Sequence, residues 1–128
     1  MAIIDTIAEI DPPTLICAVR PVAPYHQERA RARCLTRLLW ELGEHGITEL
    51  IFEGRDEPLN NRDAATIANA RRAGQAQERM TFDFGDPRRE PLLWLPDAIA
   101  GAAGAHIIGE GSEHFLALPS RRLLVLGP

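Results

Sequence analysis

Apolar runs of strand length alternate along this sequence with segments whose apolar residues recur at helical spacing. The clearest helical segment spans Tyr25 to His45 and is followed by Gly46, a residue type that commonly ends a helix in a left-handed conformation. Its apolar stripe consists of Ala32, Leu35, Leu38, Leu39 and Leu42. Strands that alternate with helices form mainly parallel sheets with right-handed crossovers. The sequence therefore predicts an α/β fold.

The other predicted elements follow the same alternation. Strands are predicted at Thr14–Val22, Ile47–Phe52, Met80–Phe84 and Arg122–Leu126. Further helices are predicted at Met1–Ile10, Asn60–Gly74, Pro91–Ile108 and Glu113–Leu118, with Pro96 either kinking its helix or marking the true first turn. Because 128 residues are the usual size of one domain, we expect a single domain over residues 1–128.

Composition excludes several classes of protein. The net charge of -4 gives no global attraction to nucleic acid or to an anionic membrane, so such binding needs a local patch. No apolar stretch is long enough to cross a bilayer. The two cysteines, Cys17 and Cys34, are too few for a secreted disulfide scaffold and are interpreted as small buried hydrophobes. We expect a bacterial, cytoplasmic protein.

Acidic residues follow the predicted strands, at the edge where open α/β sheets bind ligands. They are Glu53, Asp56, Glu57 and Asp63 after the second strand, Asp83 and Asp86 in and after the third, and Asp97 in the following helix. Carboxylates that converge there would hold Mg²⁺ or Mn²⁺. The alternative is that these side chains are solvated or interact with helix dipoles.

Small residues surround Asp97 on its predicted helix. Gly101 and Gly104 share a face with it, and glycine costs a helix interior about 1 kcal/mol relative to alanine. A packing reason is therefore expected: the helix lies close to the sheet and brings Asp97 to the strand ends. Tight packing with Asp97 as a helix cap is the alternative.

Arginines recur every four residues on the long helix, at Arg29, Arg33 and Arg37, and Trp40 follows three residues later. Such a stripe would bind phosphates while the indole stacks on a base. A solvated charged face is the alternative. Elsewhere, His106 and His114 are a weak zinc candidate, and the glycines around Glu110 lack the lysine of a phosphate loop.

Several segments together resemble a bacterial family of domains of unknown function with a ribonuclease H-like fold, common in actinobacteria. They are Gln27–Leu42 (QERARARCLTRLLWEL), Leu50–Asp56 (LIFEGRD), Asp63, and Glu90–Ala103 (EPLLWLPDAIAGAA). The resemblance implies a three-layer α/β domain with a mainly parallel or mixed sheet and helices on both faces. It also implies a metal-dependent nuclease-like site with Glu53 and Asp97 as catalytic metal ligands, Asp63 as a further ligand and Arg55 as a nucleic-acid contact.

The chain departs from that family at its N-terminus. Family members begin with a strand that carries an Asp-Glu-Ser-like motif and the central metal-binding aspartate, and nothing before Thr14 resembles it. Either the strands at Thr14–Val22 and Ile47–Phe52 pair directly, or a partner completes the sheet. Because an open apolar edge invites pairing, we expect a homo-oligomer or a complex with a second polypeptide.

Two functions follow from these residues. The first is a divalent-metal phosphodiesterase that acts on RNA or DNA, with Arg29, Arg33 and Arg37 holding phosphates. The second is a catalytically silent interaction module of the same fold, with Trp40 or Trp94 in its contact surface.

Overall fold

Four strands and three helices alternate in the computed structural model, which describes residues 14–19, 26–86, 88–89, 93–109 and 121–126. In chain order they are β1 (Thr14–Val19), α1 (Gln27–Glu44), β2 (Glu49–Glu53), α2 (Glu57–Arg72), β3 (Thr81–Gly85), α3 (Trp94–Ile108) and β4 (Arg121–Leu126). The predicted α/β class is confirmed. The helices predicted at Met1–Ile10 and Glu113–Leu118 lie outside the described residues, as does the histidine at 114.

Strand pairing differs from the direct pairing that the sequence allowed. Among the described strands, β1 pairs with β4, and β2 pairs with β3. Strands β2 and β3 are parallel, with Glu49 opposite Thr81 and Glu53 opposite Gly85. Direct pairing of the first two strands is therefore not found in the described part of the chain, and each described sheet has two strands.

Two compact units make up the chain, and each is described by itself. One consists of Met1–Ile16 and Pro87–Leu123, and contains α3. Leu93, Ala102 and Ala103 are buried there, and Gly109 ends α3 with a φ of 78°. Pro96 lies in the first turn of α3, as one of the two predicted alternatives had it. The expectation of a single domain stays a prediction.

The second unit, Cys17–Asp86 with Leu124–Pro128, has its core where α1 and α2 pack against each other and against side chains of β2 and β3. The buried cluster consists of Leu35, Leu39, Ile67, Ala70, Ala76 and Met80, with Leu42, Leu50, Phe52 and Phe82 packed against it. The rings of Phe52, Phe82 and Phe84 contact one another at centroid distances of 5.9–6.3 Å. Helical periodicity explains what α1 contributes to this core, because Leu35 and Leu39 belong to its predicted apolar stripe.

Helix α2 begins three residues before its predicted start. The Asp56 carboxylate accepts a hydrogen bond of 3.0 Å from the Leu59 backbone N–H, which caps the helix, and Pro58 lies in the first turn. Proline suits that position because its missing N–H would have no partner there. Glu57, Pro58 and Leu59, which precede the predicted helix, therefore belong to α2.

Both cysteines are reduced and half-buried. Burial, together with a hydrogen bond to the Cys34 thiol, raises the pKa of Cys17 to about 12. The Cys17 thiol is therefore protonated at neutral pH. A protonated thiol is a poor nucleophile, because the reactive form of cysteine is the thiolate. Their interpretation as small apolar residues agrees with this environment, although neither is fully buried.

Candidate functional site

A groove with a volume of about 710 Å³ lies between α1 and α2. Its first wall is formed by one side of α1, which contributes Arg29, Ala32, Arg33, Thr36, Arg37 and Trp40. Its second wall is formed by Thr66, Asn69, Ala70 and Ala73 with Gln75, and Leu126 of β4 completes the lining. All of these residues belong to the second unit.

Helical spacing places the three arginines on this wall. Residues four apart on an α-helix lie one above the other, separated by about 6 Å along the axis. Arg29, Arg33 and Arg37 thus form a row, and Trp40 continues it three residues later. The structure brings together the four side chains that the sequence singled out on this helix.

The four side chains differ in their surroundings. All three arginines are exposed. Arg37 Nε donates a hydrogen bond of 3.1 Å to Glu41 Oε1, and Arg37 Nη2 lies 3.0 Å from the same oxygen. The Trp40 side chain is 46 % exposed. An exposed indole beside a row of guanidinium groups offers a flat apolar surface together with positive charge, two features that proteins combine when they bind the bases and phosphates of nucleic acid.

The second wall carries hydrogen-bonding groups that the sequence analysis missed. Thr66 donates to the Arg62 carbonyl within α2, and the Asn69 side-chain oxygen accepts from Arg72. The Asn69 amide group keeps its two N–H donors. The three-residue spacing of Thr66 and Asn69 places them on one face of α2, but the sequence does not indicate which face of α2 lies towards α1.

Asp63 lies in an ion-pair network at the start of α2. Its side chain is 4 % exposed, and both oxygens are bound by Arg31, at 3.0 Å from Nε and 3.0 Å from Nη2. Arg55 Nη2 donates to the same carboxylate at 2.8 Å. Burial raises the pKa of Asp63, but the hydrogen bonds and charges of Arg31 and Arg55 outweigh it, so that the pKa lies below its ordinary value.

Arg55 joins three elements of the chain. Its Nη1 donates to Glu28 in the first turn of α1 at 2.6 Å, and its Nη2 also donates to the Leu59 carbonyl of α2 at 3.2 Å. The hydrogen bond from Arg55 lowers the pKa of Glu28. The burial of Arg55 lowers its own pKa, but its bonds to Glu28 and Asp63 raise it by more. These contacts position the turn after β2, and the nucleic-acid contact predicted for Arg55 stays a prediction.

The two predicted catalytic carboxylates belong to different units. Glu53 is exposed at the end of β2, and Asp97 lies in the first turns of α3, where its side chain is outside the described part of the structure. Asp83 shares the outer face of the sheet with Glu53. Among the described residues, no group of three or more His, Cys, Asp or Glu side chains is placed to hold a metal ion. Convergence of Glu53 and Asp97 stays a prediction.

Comparison with protein-family models, with curated proteins and with solved structures found no match to this chain. Within the described residues, none of the helices has both the length and the apolar character needed to cross a membrane.

Proposed function

We propose that this chain is a nucleic-acid-binding module that uses the groove between α1 and α2 and performs no chemistry on its ligand. In this proposal Arg29, Arg33 and Arg37 contact phosphates and the Trp40 indole stacks on a base. The observation that carries it is the row of four such side chains along one wall of a single groove. The proposal combines the two functions that the sequence suggested: it takes the absence of catalysis from the interaction module and the phosphate contacts of the three arginines from the phosphodiesterase.

Charge distribution supports the proposal. The whole chain carries a net charge of -4, so its overall field repels a polyanion. Phosphate contacts therefore have to come from a local concentration of cations. Three exposed arginines, Arg29, Arg33 and Arg37, lie within about two turns of α1 and supply that concentration, although Glu41 forms an ion pair with Arg37.

The surroundings of Asp63 favour binding over catalysis. Its two oxygens accept three hydrogen bonds from Arg31 and Arg55. A divalent ion would have to displace these guanidinium groups, and each charge-assisted hydrogen bond is stronger than a neutral one. Asp63 therefore fits a structural role in the α1–α2 packing better than a metal-binding role.

Equilibrium binding of a labelled oligonucleotide tests the proposal. We expect the double variant Arg29→Gln/Arg33→Gln to weaken binding by about tenfold or more at low salt. The matched control is Arg62→Gln/Arg79→Gln, which removes the same charge from exposed positions that do not line the groove. Equal weakening by both double variants would show a nonspecific charge effect and contradict the proposal.

A second proposal keeps the catalytic expectation, with Mg²⁺ or Mn²⁺ in a three-layer ribonuclease H-like fold. It is supported by Glu53 at the carboxyl end of β2 and Asp83 in the middle of the parallel strand β3, which share the outer face of the sheet. Asp97 would add a third carboxylate. Such an ion would stabilise the oxygens of a phosphodiester during cleavage.

Cleavage assays distinguish the second proposal from the first. Metal-dependent cleavage of labelled RNA or DNA that is lost in Asp97→Asn and Glu53→Gln, but kept in Glu57→Gln, would establish the nuclease. Binding without cleavage, at every metal concentration and with both RNA and DNA, would leave the binding module as the function.

A further inference from the structure

We infer that the groove between α1 and α2 takes one unpaired nucleic-acid strand, with its phosphates along α1 and its bases facing α2. The inference rests on the proposed function and goes further, because it names the form of nucleic acid and its orientation. It depends on the difference between the two walls and on the size of the groove.

The two walls differ in chemistry. Every arginine that lines the groove belongs to α1, namely Arg29, Arg33 and Arg37, whereas the wall formed by α2 and the turn after it carries an alcohol and two amides at Thr66, Asn69 and Gln75. Guanidinium groups bind phosphates bidentately, and amides bind the edges of bases. A strand lying in the groove would therefore place its phosphates on the arginine row of α1 and its bases towards α2, except for the base that stacks on Trp40 at the end of that row.

Hydrogen bonds within α2 determine what Asn69 offers to a ligand on the α2 wall. The Thr66 hydroxyl donates to the Arg62 carbonyl, and the Asn69 oxygen accepts from Arg72. What Asn69 presents is thus its amide N–H donors, which suit the acceptor atoms on an exposed base edge. The acceptors on the Watson–Crick edge are used by the partner strand when the base is paired, so that an unpaired base offers more of them.

Groove size argues against a duplex. The axes of two packed helices lie about 8–10 Å apart, which limits the width of a groove between them. A B-form duplex is wider than its major groove, and that groove alone measures about 12 Å across. The volume of about 710 Å³ lies in the range of pockets that enclose one drug-sized molecule. An extended strand can enter such a space a nucleotide or two at a time, and a double helix can only lie across it.

The exposure of Trp40 also favours an unpaired strand over a duplex. Its side chain is 46 % exposed at one end of the arginine row. Stacking on an indole requires a base with an open face, and bases inside a duplex have both faces covered by their neighbours. Stacked bases contribute substantially to the affinity of single-strand-binding proteins and largely irrespective of sequence.

The test compares four probes with the full chain at one ionic strength. They are a 12-nucleotide single strand, the same sequence as a blunt duplex, the same strand with abasic sites, and a mononucleotide. We expect the single strand to bind at least about tenfold more tightly than each of the others. In Trp40→Ala the single strand should fall to the affinity of the abasic strand, whereas Arg29→Gln/Arg33→Gln should weaken both strands.

The Trp40 contact has a direct spectroscopic readout. Binding of the single strand should quench tryptophan emission in the wild type and in Trp94→Phe, and should not do so in Trp40→Phe. Circular dichroism of each variant checks that the fold is kept, and Trp40→Leu replaces any Trp40→Ala protein that fails this check.

The outcomes distinguish failure of the single-strand inference from failure of the proposed function. The single-strand inference would be overturned if the single strand, the duplex and the abasic strand bound with equal affinity and Arg29→Gln/Arg33→Gln abolished the binding of all three. The proposal of nucleic-acid binding would then still stand. A mononucleotide that binds as tightly as the strand would also overturn it, since the site would then be a nucleotide pocket. No binding of any probe would overturn both.

Discussion

Arg31 binds Asp63 through two parallel hydrogen bonds of 3.0 Å, from Nε to Oδ1 and from Nη2 to Oδ2, across 32 residues of sequence. The pair joins α1 to α2, the two helices that form the groove. Arg55 adds a third bond to the same carboxylate and connects it to the turn after β2. The geometry of the groove therefore depends on a carboxylate that does not line it.

The first prediction concerns the stability that Asp63 provides. Asp63→Asn should lower the free energy of unfolding by about 2 kcal/mol, because an amide offers one acceptor oxygen and turns N–H groups towards the arginines. The value is below the range for fully buried pairs, since the Arg31 side chain is 41 % exposed. Urea denaturation measures it. Glu57→Gln, an exposed carboxylate in the first turn of α2, is the control and should change stability by well under 1 kcal/mol.

The second prediction concerns pH. The pKa of Asp63 in the folded chain lies below its ordinary value, so its contribution is fully present above the unfolded pKa of about 3.9 and is lost as the pH falls through the folded value. The stability difference between wild type and Asp63→Asn should therefore be constant from pH 7 to about pH 5 and shrink below about pH 4. A difference that stays constant down to pH 2.5 would contradict this assignment.

The sequence located the arginine wall of the groove because one helix carries all of it. Arg29, Arg33, Arg37 and Trp40 share a side of α1 by helical periodicity alone, and that helix was predicted to within two residues at its start and one at its end. Gly46 has a φ of 76°, which confirms the predicted left-handed glycine at the end of this helix.

The rest of the site depends on packing between elements, which spacing along the chain does not encode. The ion pair between Arg31 and Asp63 could not be predicted from the sequence, because their contact depends on the angle at which α1 packs on α2. For the same reason Asp63 was predicted as a metal ligand from its place after a strand, and its arginine partners were missed. The start of α2 was missed because an aspartate followed two residues later by proline is typical both of turns and of capped helices.

The third prediction concerns salt. Each phosphate contacted on a single strand contributes about 0.7 to the slope of log affinity against log salt concentration. If Arg29 and Arg33 each contact one phosphate, the double variant Arg29→Gln/Arg33→Gln should reduce the slope by about 1.4. The Arg62→Gln/Arg79→Gln control should leave the slope unchanged. Titrations over about a decade of salt concentration measure the slope. An unchanged slope in the groove variant would place the phosphates elsewhere.

The last prediction concerns self-association through the β2–β3 sheet. Among the described strands β2 pairs with β3 alone, and the Ile51 side chain on its outer face is 56 % exposed. An unpaired strand edge with an exposed apolar residue favours pairing with a second chain. We propose a homo-oligomer that Ile51→Glu shifts towards monomer, because a buried carboxylate in the interface would lack a partner. Ile47→Glu, which adds the same charge just before β2, is the control. Sedimentation at micromolar concentration gives the answer, and a wild-type protein that is only monomeric would rule out the oligomer.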